Sequence, residues 1–259
     1  MSVRAVVFDV YQTLLELSPA PADTEARWRK LWATLPGVAA APSLEQFARR
    51  CQEVIANEHA RARAAGIVFP EVFWPDIVAE VAPALARLDG AGRDIWLYEQ
   101  VQLTRTVRLR SAAADLLREL AARDAVLGLA SNAQPYTLRE LDAALAGVGL
   151  SRRVFAERVC FWSFEHGFSK PDPHVFQWLS ARFQAMGIAR PEILMVGDRL
   201  DNDVAPARQA GWQTWHLTAT PSTQADRCGD WSALTAFLRA SVGEARSPIQ
   251  FIAAAQSTS

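Results

Sequence analysis

Arg4-Ala-Val-Val-Phe-Asp9, followed by Val10-Tyr11-Gln12-Thr13-Leu14, is an apolar run that closes on a carboxylate and passes into a turn. A short continuous apolar run bounded by a turn reads as a strand buried on both faces. A carboxylate that ends such a strand is delivered to its carboxyl end, where open α/β sheets build their sites. Three later runs repeat the plan. Ala125 to Ala130 ends at Ser131, Val159 to Trp162 is followed shortly by Lys170, and Ile193 to Gly197 ends at Asp198. Four strand ends are therefore expected to share one rim.

Outward from these strands, the pattern changes over Ala22 to Leu103 to helical periodicity, as in Ala26 to Trp32, Leu44 to Arg63 and Ile77 to Leu88. Turn signals at Pro36-Gly37, Gly66, Pro70, Pro75 and Gly90 to Gly92 divide it into four or five short helices. Beyond it, helices at Ser111 to Arg123, Pro135 to Ala146 and Pro173 to Met186 alternate with the strands. A helix at Val204 to Ala210, a strand at Thr214 to Thr218 and a helix at Trp231 to Ala240 follow. Alternation of this kind predicts a parallel sheet with helices on both faces. The expected fold is α/β: a Rossmann-like, doubly wound parallel sheet over residues 1–17 and 104–242, an inserted all-helical cap over 18–103, and a loose tail over 243–259.

The chain has 259 residues, half of them hydrophobic, with 27 basic and 28 acidic side chains. That is enough for one full core and a smaller unit, and a net charge of −1 argues against a nucleic-acid partner. Cys51, Cys160 and Cys228 are odd in number and in no metal-ligand spacing, which fits reduced thiols better than a disulfide framework. No apolar run approaches the roughly 20 residues needed to span a bilayer, and no secretion signal is read. A cytoplasmic protein without a membrane partner is expected, acting on a small anionic substrate, and a homo-oligomer is left open.

The four rim segments read Phe8-Asp-Val-Tyr-Gln-Thr-Leu-Leu15, Leu129-Ala-Ser-Asn132, Gly167-Phe-Ser-Lys-Pro-Asp-Pro173 and Val196-Gly-Asp-Arg-Leu-Asp-Asn-Asp203. In order and spacing they resemble the haloacid dehalogenase-like hydrolase superfamily over nearly the whole core. The resemblance implies that Asp9 is the nucleophile, that Thr13 and Ser131 bind the anionic group of the substrate, and that Lys170 neutralises charge. It also implies a magnesium ion held by Asp9, the main-chain carbonyl of Tyr11 and Asp198. The helical insertion lies where this family places a cap.

The residue types suit these roles. An Asp carboxylate can attack phosphorus or carbon to give a covalent intermediate that water releases. Small hydroxyls at strand ends can donate to an oxyanion or cap a helix. Two carboxylates about 4 Å apart repel by roughly 4 kcal/mol at an effective dielectric near 20, so one lysine is too little and a hard divalent cation resolves the conflict. Asn132 can orient substrate or close its turn, and Asp203 can join the metal site, directly or through water, or cap the following helix.

The pattern departs from the family's phosphatases at Tyr11, where they usually carry an aspartate that protonates the leaving alcohol. Loss of a positioned acid typically costs a factor of about 100 to 10,000. A tyrosine there is typical of the family's 2-haloacid dehalogenases, yet those are metal-free, carry small polar residues in place of Gly197-Asp198, and have an aromatic hydroxyl in place of Phe176. The leading expectation is a magnesium-dependent phosphatase suited to a good leaving group. The alternatives are a 2-haloacid dehalogenase or other carbon-centre hydrolase, and an inactive binding module. In the cap, His59, Arg61, Arg63, Glu71 and Trp74 surround the Gly66 to Pro70 turn and could close on a substrate.

Overall fold

The computed structural model describes residues 2–123, 125–220 and 225–243. Its centre is a six-stranded parallel sheet made of β1 (Ala5–Phe8), β4 (Val126–Ser131), β5 (Cys160–Trp162), β6 (Ile193–Gly197), β7 (Gln213–Leu217) and β8 (Arg227–Gly229). The strand order is β5-β4-β1-β6-β7-β8. The chain leaves β1 for β4 and β5 on one side and returns to β6 on the other. The carboxyl ends of β4, β1 and β6 therefore flank the point where winding reverses, the position at which such sheets bind ligands.

Side chains alternate across the sheet, as a period of two requires. Val6, Phe8, Leu127, Leu129, Leu194 and Val196 face one layer with α5 (Ser111–Ala121), α6 (Pro135–Ala146) and α10 (Trp231–Ser241). Ala5, Val7, Ile193 and Met195 face the other with α8 (Pro173–Ala185) and α9 (Ala205–Gln209). All four residues of β1 are fully buried, so the strand carrying Asp9 is clamped on both faces. The short helix α7 (Ser163–His166) follows β5. The doubly wound parallel sheet expected from the sequence is the sheet observed. The expected tail falls, from residue 244 on, outside the described residues.

Between the first and second core segments lie α1 (Thr24–Trp32), α2 (Leu44–Ala64), α3 (Trp74–Val81) and α4 (Gly90–Gln102). They pack on a core of their own, built around Trp28, Phe47, Val78, Leu85 and Trp96. The Ser43 hydroxyl starts α2 by accepting the Gln46 N–H, and Gln46 reciprocates, a capping box that fixes the helix entry. Four short elements were not anticipated: α7, β8 and the two strands of an antiparallel ribbon. β2 (Leu15–Ser18) and β3 (Thr106–Leu109) pair antiparallel, Leu15 opposite Leu109 and Ser18 opposite Thr106, at the two crossings between core and helical insert. Glu16 ties this ribbon to Arg108 and Arg110 at 2.7 and 2.9 Å. Among the described residues no helix is long and apolar enough to cross a membrane.

Candidate active site

The Asp9 N–H donates to the Val196 carbonyl at 2.9 Å, which registers the carboxylate against β6. Past it the chain folds back at once. Leu15 N–H donates to the Val10 carbonyl at 2.8 Å, and Gln12 N–H to the Leu15 carbonyl at 2.7 Å. The tightness of this turn drives Gln12 to φ +62°, left-handed backbone that a side chain other than glycine adopts at a cost of roughly 1 to 2 kcal/mol.

Lys170, 3% exposed, is the hub of the rim. Its Nζ donates to Asp9 Oδ1 at 2.7 Å and to Asp203 Oδ1 at 2.5 Å. The second Asp203 oxygen accepts the Arg199 N–H at 3.1 Å. Asp203 is brought inward by a wide turn over Leu200–Val204, in which the Arg199 carbonyl accepts from both Asp203 and Val204. Gly197 makes room for it, because a Cβ there would lie on the Asp203 carboxylate. Asp198 lies beside them, its Oδ1 accepting a long bond from the Thr13 hydroxyl at 3.4 Å and its carbonyl meeting His216 Nε2 at 3.0 Å.

Asp9, Asp198 and Asp203 each offer an oxygen, and these oxygens all lie within 4.8 Å of one another. One ammonium faces three carboxylates. Burial pushes the Asp9 carboxyl up to about 7, with Lys170 opposing and Asp203 and Asp198 reinforcing the rise. Asp198 is also raised, by burial and then by Asp203. Burial would lower Lys170, but Asp203 and Asp9 outweigh it and raise the ammonium pKa instead. The cluster thus gathers more carboxylates than one ammonium balances, on hard oxygen donors of the kind that suit a divalent cation such as magnesium. The residues fit such an ion.

Ser131 ends β4 with its hydroxyl buried and without a hydrogen-bond partner, as a group reserved for a ligand would be. Asn132 is committed differently from the expectation of a substrate contact. Its carboxamide bonds the main chain of Lys170 on both sides, donating to the carbonyl and accepting the N–H, each at 2.8 Å. It holds the lysine loop, where the Lys170–Pro171 peptide is cis. The Thr13 hydroxyl, fully buried, faces Asp198. Lys170 lies between Asp9 and Asp203 rather than between Asp9 and Asp198, because the wide turn carries Asp203 deeper than its spacing suggested.

The Tyr11 ring turns away into the seam between core and helical insert. Its hydroxyl bonds Thr137 at 2.9 Å and the Glu140 carboxylate, and Arg105 Nη2 donates to it at 2.8 Å. Burial, with Glu140 reinforcing it against Arg105, raises the phenol pKa far above its ordinary value. The proton is held.

Of the cap residues singled out in the sequence, Arg61, Glu71 and Trp74 take structural partners. Arg61 pairs with Glu58 at 2.5 Å on an exposed helix face, and Arg63 is exposed. His59 and Glu71 line a cleft of about 300 Å³ with Glu58, Asp76 and Glu80, an acidic lining that suits no anion. Glu71 accepts from Ser163 at 2.7 Å and Gln134 at 3.1 Å, while the Trp74 N–H donates to Gln134 at 2.7 Å. The turn itself docks on the lysine loop: Ser169 N–H donates to the Phe69 carbonyl at 2.9 Å, and Glu71 N–H to the Gly167 carbonyl at 3.0 Å. His166 stacks on Phe161 at 4.5 Å, and Phe176 packs edge-on against Trp212 in the core.

Glu140, Arg105, Gln134 and His216 were missed. Glu140 alone left a signal: on α6 the buried positions are Thr137, Glu140, Leu141 and Leu145, so a charge occupies the apolar stripe.

A stretch of 99 residues, 38% of this chain and 36% of the relative's length, is 36% identical to a phosphoserine phosphatase of Thermus thermophilus. Among solved structures, a 2-haloacid dehalogenase from Pseudomonas syringae pv. Tomato DC3000 matches with TM-score 0.62 and 20% identity over 92% of this chain and 99% of that one. The HAD-hydrolase YfnB from Bacillus subtilis, bound to magnesium, matches with TM-score 0.52 and 19% identity over 92% and 99%. At such identities these structures speak for the fold. The sequence pattern of one family, however, covers residues 3–211, from the strand that carries Asp9 through the loop that carries Asp203. The chain belongs to the haloacid dehalogenase-like hydrolases.

Proposed function

We propose that the chain is a magnesium-dependent phosphohydrolase acting on a small phosphorylated metabolite with a good leaving group, such as an acyl or aryl phosphate. The observation that carries this reading is the group of Asp9, Asp198 and Asp203, of which Asp9 and Asp203 are buried, beside the ammonium of Lys170. An excess of carboxylates is relieved either by a proton or by a further positive charge, and a divalent cation is the relief that leaves Asp9 ionised for attack. Asp9, the Tyr11 carbonyl and Asp198 would hold the ion, with Asp203 directly or through water. When bound, it would offset the carboxylates and the charge of a phosphoryl group.

Asp9 attacks the phosphorus, the bond to the leaving oxygen breaks, and an aspartyl phosphate forms; water then hydrolyses it to Asp9 and inorganic phosphate. Ser131 and Lys170 bind the phosphoryl oxygens, with Thr13 set to join them or to keep Asp198 in place. Because the Tyr11 hydroxyl is engaged by Glu140 and Arg105, the site has no donor of the usual kind two residues after the nucleophile. The local likeness to a phosphoserine phosphatase supports phosphoryl chemistry.

The same Tyr11 observation favours a second reading, a 2-haloacid dehalogenase, since halide departs without a proton. One screen separates the two: phosphate and halide release measured with magnesium and with chelator. Phosphate release that needs magnesium and vanishes in Asp9→Asn is the expected result. Halide release in chelator, with no phosphate from any ester, would reverse the assignment.

A further inference from the structure

Glu140 is fully buried in the middle of α6, at a stripe position that Leu141 and Leu145 continue. A leucine would fill that position without the loss of carboxylate solvation, so a charge there points to a task other than packing. Its oxygens accept hydrogen bonds from three separate parts of the chain. The Tyr11 hydroxyl comes from the turn that carries Asp9. Gln102 Nε2, at 2.6 Å, comes from the last residue of the cap helix α4. Arg105 Nε and Nη2, at 3.2 and 2.9 Å, come from the segment that leads from the cap into β3. Arg105 also donates to the Tyr11 oxygen, and its guanidinium lies 4.7 Å from the Tyr11 ring centre and 5.2 Å from that of Tyr136.

We propose that Glu140 is a positioning residue that couples the place of the helical cap to the turn bearing the nucleophile. A shift of α4 and Arg105 away from the core takes three of the four donors from Glu140. The Tyr11 hydroxyl then keeps Thr137 and Glu140, both on α6, but loses the Arg105 bond and bears on an under-satisfied buried carboxylate, so the turn between Asp9 and Leu15 is held less firmly. The turn that carries the nucleophile is thus held most firmly while the cap is seated. The consequence for turnover rests on the aspartyl-nucleophile reading given above; the coupling itself does not.

The test is amide hydrogen exchange on the full chain, followed at Gln12 and Leu15, whose N–H groups are bonded within the turn. Gln102→Ala removes only the cap's donor and leaves Glu140 intact. A hydrogen bond to a charged group is of the size that changes an opening equilibrium about tenfold. Exchange at Gln12 and Leu15 should rise by about that factor although the substitution lies in the cap, and Gln102→Ala should add little in a Tyr11→Phe background. Glu140→Gln, which keeps the shape and drops the charge, should loosen both the turn and residues 102–105. With a substrate in hand, kcat should fall by a similar factor in Gln102→Ala while KM changes far less. Unaltered exchange at Gln12 and Leu15 in Gln102→Ala, with loosening confined to α4, would overturn the proposal, and this variant decides it even if Glu140→Gln fails to fold. A wild-type chain that releases neither phosphate nor halide would sink the reading of Asp9 as nucleophile, and the exchange comparison would still decide the coupling.

Discussion

Lys170 serves two buried carboxylates with one ammonium, so its removal leaves both Asp9 and Asp203 without a counter-charge. Breaking a buried pair in this way typically costs about 3 to 5 kcal/mol. Lys170→Met is therefore expected to lose about that much stability in chelator and to regain part of it in magnesium, measured by urea unfolding under both conditions. An equal loss under both would mean that no cation enters the cluster. Gly197→Ala tests the other support. The new methyl would displace the Asp203 carboxylate, with a cost of about 1 to 3 kcal/mol for overpacking and a weakened magnesium response in a thermal-shift titration. Asp9, Ser131, Lys170 and Asp198 were legible in the sequence because each ends or follows an apolar run. The Glu140 partnership was not, since Tyr11, Gln102 and Arg105 are far apart along the chain from it and nothing in their neighbourhoods marks them as partners.

At the scale of elements, the docking of the α2–α3 turn on the lysine loop is a contact open to pH. Burial raises the Glu71 carboxyl pKa, against the donors Ser163, the Val72 N–H and Gln134 and the nearby His59. A raised acid binds its proton more tightly folded than unfolded. Its stabilising share is present below the ordinary 4.5 and is lost as the pH climbs through the raised folded value. Wild type should therefore lose stability over that interval more steeply than Glu71→Gln, read from urea midpoints at a series of pH values. Parallel curves would show that the contact does not titrate. The helices and central strands were readable because long periodic or unbroken apolar runs have few competing interpretations. β2 and β3 were not: Leu15-Glu-Leu-Ser18 and Thr106-Val-Arg-Leu109 alternate, but each is four residues long and finds its partner about 90 residues away. The docking turn misled for a related reason, since Arg61 and Arg63 lie on an exposed helix face while the backbone, Glu71 and the Phe73 ring reach the core.

For the whole molecule, the helical insert carries its own core, and Trp28 is its centre. The indole is fully buried, lies 4.8 Å from Phe47 and 5.1 Å from Trp32 between ring centres, and donates to the Pro42 carbonyl at 2.7 Å. Trp28→Ala should cost about 3 to 5 kcal/mol, and hydrogen exchange should show that loss in α1, α2 and α4 while the amides of β1, β4 and β6 stay protected. Loss of protection in both parts at once would mean a single cooperative unit. The antiparallel ribbon of β2 and β3 carries a last implication for how such a molecule can be rebuilt. Both passages of the chain to the lid run side by side, about 5 Å apart as adjacent strands are, so excising everything between Ser18 and Thr106 leaves the arms of an ordinary hairpin that a two-residue loop can close. Foreign helical modules with closely spaced ends can be joined there without cutting any strand of the six-stranded sheet, provided that they resupply the donors Gln102 and Arg105 give to Glu140.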